Sequence, residues 1–189
     1  FLELFSEEVP ALLQRNSRIL LLNSFQKLFE EKKINFKKSA SYSTPNRLII
    51  TFEGLNEEVV RKAEEIKGPN INAPEQALDG FLRSNQISKN EIFKKRNDKG
   101  EFYFFKTLSK KIKTLNLLEE YIPELLDKIQ WKKSMRWGNF ELNWARPLKS
   151  ILASFDNKTL NFKFHHLTSS NTTFIDKEFE EKRKIFNDY

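Results

Sequence analysis

The chain has 189 residues, of which 39% are hydrophobic and 13% aromatic, and it carries a formal net charge of +7. That is enough apolar mass for a core, which excludes a wholly disordered chain. The longest aliphatic run, Ile19-Leu20-Leu21-Leu22, is far short of the about 20 residues a membrane-spanning helix needs, and the absence of cysteine excludes disulfide frameworks, thiolate metal sites and cysteine nucleophiles.

Phe1 to Phe5 alternates weakly and reads as a short strand; the acids that follow it do not fit a secretory signal. Glu7-Glu8 and then Pro10 mark a helix start, the acids through the helix dipole and the proline through its fixed φ. Leu12, Leu13, Leu20, Leu21, Phe25, Leu28 and Phe29 continue with helical spacing, and Lys32-Lys33 suits a C-terminus. Phe36 to Tyr42 and Leu48 to Phe52 read as strands joined at Thr44-Pro45-Asn46. Glu57 to Ile66 fits either a helix or a strand running into the Lys67-Gly68-Pro69-Asn70 loop. A short helix is expected over Pro74 to Leu82. Asn97-Asp98-Lys99-Gly100 is a hairpin turn between Ile92-Phe93 and Phe102 to Leu108, with Gly100 free to take positive φ.

Leu115 to Ile129 is an amphipathic helix with Pro123 inside it, where the ring either kinks the helix or marks a late start. A basic aromatic stretch follows from Trp131 to Trp137. Leu148 to Phe155 and Leu160 to Phe164 form a second hairpin around Asp156-Asn157-Lys158, and Lys177 to Phe186 reads as a charged helix. There is no internal repeat. Hairpins interleaved with helices place the chain in the α+β class, antiparallel hairpins packed with amphipathic helices. A division near residue 110, into 1–110 and 111–189, is signalled only by Lys110-Lys111-Ile112-Lys113.

Three groups of residues could carry chemistry. Glu3, Glu7 and Glu8 could pair as acid and base, or the last two could simply stabilise a helix end. His165-His166 lie in an expected strand, where neighbours point to opposite faces, so at most one could line a site; the other reading is a packed histidine. The two histidines could hold zinc only with carboxylates completing the set. Trp131-Lys132-Lys133-Ser134-Met135-Arg136-Trp137-Gly138, followed by Asn143-Trp144-Ala145-Arg146-Pro147, mixes cations for phosphates with aromatic faces for bases. Its other reading is a tryptophan core with arginines paired to acids. With five glycines in all there is no phosphate-cradling loop, and no Ser-His-Asp spacing is visible.

Several of these stretches together resemble one family, the beta subunit of bacterial tetrameric glycyl-tRNA synthetase. Leu2-Glu3-Leu4-Phe5-Ser6-Glu7-Glu8-Val9-Pro10 is similar to its amino-terminal L-x-E-[IL]-G-T-E-E-[LI]-P pattern, with Phe5 and Ser6 where Gly and Thr are usual. Pro45-Asn46-Arg47-Leu48 resembles its P-R-R-L turn, with Asn46 for the first Arg. Lys67-Gly68-Pro69, Asp98-Lys99-Gly100-Glu101, Lys133-Ser134-Met135-Arg136-Trp137-Gly138 and Arg146-Pro147 match K-G-P, D-K-G-E, K-x-M-R-W-G and R-P. Order and spacing hold from Phe1 to about Phe174. The family subunit continues for several hundred residues, so this chain would be its amino-terminal region. Beyond Thr172-Thr173-Phe174 the family runs into G-H-R-F, whereas Ile175-Asp176-Lys177 follows here, so residues are expected to be missing between 174 and 175.

The resemblance implies an α+β region of a cytoplasmic α2β2 glycine–tRNA ligase that takes part in ATP-dependent attachment of glycine to its tRNA. It implies that the alpha subunit holds the catalytic domain and uses ATP and Mg²⁺, and that this chain binds no cofactor, carries no catalytic residue and meets no membrane. The partners implied are the alpha subunit and glycine tRNA. Candidate tRNA-binding residues are Arg47, Lys67, Lys133, Arg136, Trp137 and Arg146. The competing readings are a docking domain that touches no RNA, and a small hydrolase using Glu3, Glu7 or His165, which would need those groups to converge in a pocket.

Overall fold

The computed structural model describes residues 1–97, 100–175 and 183–186. The chain forms two compact units, 1–59 with 113–189 and the inserted 60–112. Both are α+β.

In the first unit, β1 (Leu2–Ser6) leads through Pro10 into α1 (Ala11–Lys32). Pro10 is the residue before the helix rather than its first turn, with ψ at 137°, and its carbonyl accepts from Leu13 and Gln14 N–H. Ser17, Leu21, Phe25 and Phe29 recur every four residues and form the buried stripe. Lys33 ends the helix in the left-handed conformation, φ 59°, so that Ile34 N–H reaches the Phe29 carbonyl. The chain then forms β2 (Lys38–Thr44) and β3 (Arg47–Glu53), joined by the two residues Pro45 and Asn46.

The segment that fitted either helix or strand is strand. It makes β4 (Glu58–Arg61) and β5 (Glu65–Asn70). The second unit continues through α2 (Glu75–Asn85), β6 (Ile92–Asn97) and β7 (Gly100–Lys106), and β8 (Lys110–Lys113) returns to the first. β5, β7 and β6 form an antiparallel sheet in that order, and β4 pairs with β8. Phe81 of α2 lies 5.9 Å from Phe105 of β7. Gly68 has a packing reason on the same side: a Cβ there would stand 2.7 Å from the Phe81 ring. The second unit is thus an insertion rather than a consecutive half. Its return lies at the Lys110–Lys113 run; its exit at Val59–Val60 shows no break in composition.

α3 (Thr114–Lys128) begins where the chain re-enters the first unit. Thr114 N–H and Oγ1 donate to the carbonyls of Glu57 and Asn56 at 2.8 and 2.5 Å. The helix starts ahead of Pro123 and runs through it, so the late start does not occur. β9 (Leu148–Phe155) and β10 (Lys158–Thr159) close a hairpin in which Asp156 and Asn157 both have positive φ, 49° and 57°, as a two-residue turn that follows the strand twist requires. This hairpin is shorter than the sequence suggests: after a last bond from Leu160 N–H to the Ala153 carbonyl at 3.0 Å, Asn161 and Phe162 lead away to β11 (Lys163–Phe164) and β12 (Leu167–Thr168).

β13 (Thr172–Phe174) pairs with β14 (Arg183–Ile185). The helix expected over Lys177 to Phe186 therefore does not extend over 183–185, where the ladder with β13 outweighs local charge patterning. Residues 177–182 of that expectation lie outside the described residues, as do Asp98 and Lys99 of the first hairpin turn.

The five-stranded sheet has the order β10-β9-β1-β3-β2. Leu2 and Ile50 face a side shared with Phe25 and Phe29 of α1 and Leu118 and Ile122 of α3, around an open cavity of about 290 Å³. The opposite side carries Glu3 and Phe5 against β13, with Phe5 5.0 Å from Phe174. No helix among the described residues is long and apolar enough to cross a membrane.

Candidate nucleic-acid interface

Backbone hydrogen bonds gather four of the six matched motifs at one end of the first unit's sheet. Ser6 N–H donates to the Asn46 carbonyl at 2.9 Å, Asn46 Nδ2 returns to the Ser6 carbonyl at 3.2 Å, and Val9 N–H donates to the Pro45 carbonyl at 2.6 Å. The segment after β1 is thereby strapped to the β2–β3 turn. On its other side Glu7 N–H donates to the Pro147 carbonyl at 2.9 Å, and Lys149 Nζ lies 2.7 Å from a Glu7 oxygen. Met135 and Trp144 exchange N–H to carbonyl bonds at 2.8 and 3.1 Å, which fixes the basic aromatic loop to the segment leading into β9.

Beneath that loop lies an aromatic stack. Buried Trp144 sits 4.6 Å from Trp131 and 5.6 Å from Phe164. Beside it Phe140 stacks on His166 at 3.8 Å, and Trp137 meets both edge-on at 6.2 and 5.8 Å. Lys132, Lys133 and Arg136 are exposed on the same loop as Trp137, and none has an ion pair or hydrogen bond among the described residues. Met135 and Phe140 are exposed as well, at 42% and 43%. Three unpaired cations beside half-buried rings can meet phosphate oxygens and stack a base at once.

The other candidates are placed differently. Arg47 is engaged inside the protein: its Nε lies 3.3 Å from Glu3, its Nη2 donates to the Phe174 carbonyl, and its guanidinium lies over the Phe5 ring at 4.7 Å. Arg146 Nε and Nη1 donate to the carbonyls of Glu8 and Ala145 at 3.2 and 2.9 Å. Lys67 belongs to the second unit, where its ammonium stands 3.5 Å over the Phe102 ring. Lys133, Arg136 and Trp137 are the candidates that share one loop. Phe140 and His166 join them; the sequence marked His166 only as one of two adjacent histidines and did not single out Phe140, since their stacking depends on the β11–β12 turn.

The residues of the hydrolase reading are held by separate partners. Glu3 is buried and accepts from Thr173 Oγ1 as well as meeting Arg47; Glu7 faces Lys149; His165 Nε2 lies 2.8 Å from Asp127. The histidines are not in a strand but in the tight turn between β11 and β12, with His165 at φ 51°, so His165 reaches α3 and His166 reaches the aromatic stack. Among the described residues no three His, Asp or Glu side chains cluster as a metal site would require.

A family model described as the glycyl-tRNA synthetase beta subunit matches residues 1–189. Curated relatives named glycine–tRNA ligase beta subunit are 40% identical in Rickettsia conorii and in Rickettsia africae, each over 190 aligned residues that cover 100% of this chain and 28% of the relative. That of Rickettsia felis is 42% identical over 175 residues, 92% of this chain and 26% of its own length. The chain thus spans little more than a quarter of the relatives it matches.

Proposed function

The chain belongs to the glycyl-tRNA synthetase beta subunit family, and on that premise we propose that it supports tRNA binding during ATP-dependent attachment of glycine to tRNA. In this reading it works beside an alpha subunit that carries the catalytic domain and handles ATP and Mg²⁺, and none of its own residues is catalytic. The observation that carries the reading is the loop Lys132–Trp137, which joins three exposed cations without partners among the described residues to a tryptophan of the Trp137–Phe140–His166 stack. The guanidinium of Arg136 suits two-pronged contact with a phosphate, and the lysines add point charge.

The test is binding of the chain to glycine tRNA and to an unrelated tRNA across a salt series. Preference for glycine tRNA, weakened roughly tenfold by Arg136→Ala, is expected if the guanidinium makes charge-assisted contacts. A second reading has its own observation: Met135 and Phe140 expose apolar surface at the same loop. Docking onto another part of the synthetase would then use this face. Absent tRNA binding at moderate salt, together with alpha-subunit binding lost in Phe140→Ala, would favour that second reading.

A further inference from the structure

The second unit carries a mixed aromatic and cationic sheet face that the loop described above does not use. Its side facing α2 holds Gly68 and Phe105. The register puts a different set on the opposite side. Lys67 of β5 and Phe93 of β6 both lie across from Phe104 of β7, and Lys95 lies across from Phe102. Strand alternation adds Glu65 and Lys106 to that side. The face therefore presents Phe93 and Phe102 beside the buried Phe104, with three lysines and Glu65 around them.

The side chains sit as this arrangement suggests. Phe93 and Phe104 stack at 6.1 Å with their planes 24° apart, and Phe93 is 38% exposed. The Lys67 ammonium covers the Phe102 ring at 3.5 Å, and that of Lys95 lies 5.7 Å over Phe104. Lys95 also meets Glu65 at 2.5 Å, and among the described residues Lys67 and Lys106, both exposed, have no ion-pair partner. A sheet that needed only to be soluble would place polar side chains on its outer face; rings there cost exposed apolar area. Rings alternating with lysines match the backbone and bases of an unpaired polynucleotide, in which phosphates recur beside flat faces. Lysines that now cover the rings can move to phosphates while bases take their places.

We propose that this face binds single-stranded RNA, bases stacking on Phe93 and Phe102 and phosphates meeting Lys67, Lys95 and Lys106. The inference rests on the tRNA reading above for the class of partner, and it goes beyond that reading by assigning a second surface on a different unit.

The test is fluorescence anisotropy of the chain with a labelled oligouridylate of about 12 nucleotides, a length within the usual single-strand site size. Salt is kept low enough for phosphate contacts to register. Phe93→Leu keeps apolar volume while removing the ring, so loss of fold does not mimic loss of stacking. Binding of the oligouridylate is expected to weaken roughly fivefold or more in Phe93→Leu and to persist in Phe93→Tyr. Failure of the unaltered chain to bind, equal binding by Phe93→Leu, or equal binding of a duplex of the same length would each overturn the assignment. Loss of oligouridylate binding in Arg136→Ala but not in Phe93→Leu would overturn it too, while leaving the tRNA reading of the Lys132–Trp137 loop intact.

Discussion

Glu3 is only 5% exposed, and its carboxylate is held by Arg47 and by the Thr173 hydroxyl. Removing one partner of a buried pair leaves an uncompensated charge, which costs more than the pair contributes when intact. Arg47→Met should therefore lower stability by about 3 kcal/mol, read as a fall in the urea midpoint, because Glu3 would remain buried with a single hydroxyl donor. Arg136→Ala should leave the same midpoint nearly unmoved, within about 0.5 kcal/mol, since an exposed side chain with no partner among the described residues adds little to the fold. Equal midpoints for the two variants would refute the division between a structural and a surface arginine. That division was not legible in the sequence. Arg47 and Arg136 both stand in motif-like settings, and the antiparallel register that sets Arg47 across from Phe5, beside Glu3, is what engages Arg47 inside the fold.

Along α1 the periodic signal and the burial agree at the points that matter. Phe29 is buried among Phe25, Phe36 and Phe52, with the Phe52 ring centre 4.5 Å away, whereas Leu12, in the same run of helically spaced apolar residues, is 91% exposed. Phe29→Ala should cost about 3–5 kcal/mol through lost transfer energy and the cavity left behind, and Leu12→Ala almost nothing; thermal melts of the two variants check this. Turns were the other readable feature. Pro45-Asn46 and Asp156-Asn157 carry residue types that tolerate turn backbones, and Asn157, at φ 57°, should accept Gly more readily than Val. Less legible were elements defined by a distant partner. Val59, Val60, Ala63 and Ile66 satisfy a helical spacing, yet the segment forms β4 and β5 because β8 and β7 supply ladders from about 50 and about 40 residues away in sequence. Arg183–Ile185 reads as charged helix for the same reason: nothing local announces β13. The gathering of Ser6, Pro45, Asn46 and Pro147 rests mainly on main-chain groups, which leave no pattern in residue types beyond the motifs themselves.

The path of the chain between its two units has a consequence that can be measured. The first unit surrounds the insertion in sequence, yet its broken ends meet, because Thr114 N–H and Oγ1 hydrogen-bond to the carbonyls of Glu57 and Asn56. An inserted unit whose entry and exit lie side by side is replaceable by a short link, since closing a loop of a few residues across adjacent ends costs little entropy. All three tryptophans, Trp131, Trp137 and Trp144, lie in the first unit, so their fluorescence reports that unit alone. Replacing residues 60–112 by a short Gly-Ser link should preserve a cooperative, tryptophan-monitored unfolding transition together with any tRNA binding that depends on Arg136. The same protein should lose the oligouridylate binding assigned to Phe93 and its neighbours. A gradual tryptophan transition would mean that the first unit needs the insertion in order to fold. Retained oligouridylate binding would move single-strand recognition onto the Lys132–Trp137 loop, because its exposed cations and rings survive the excision.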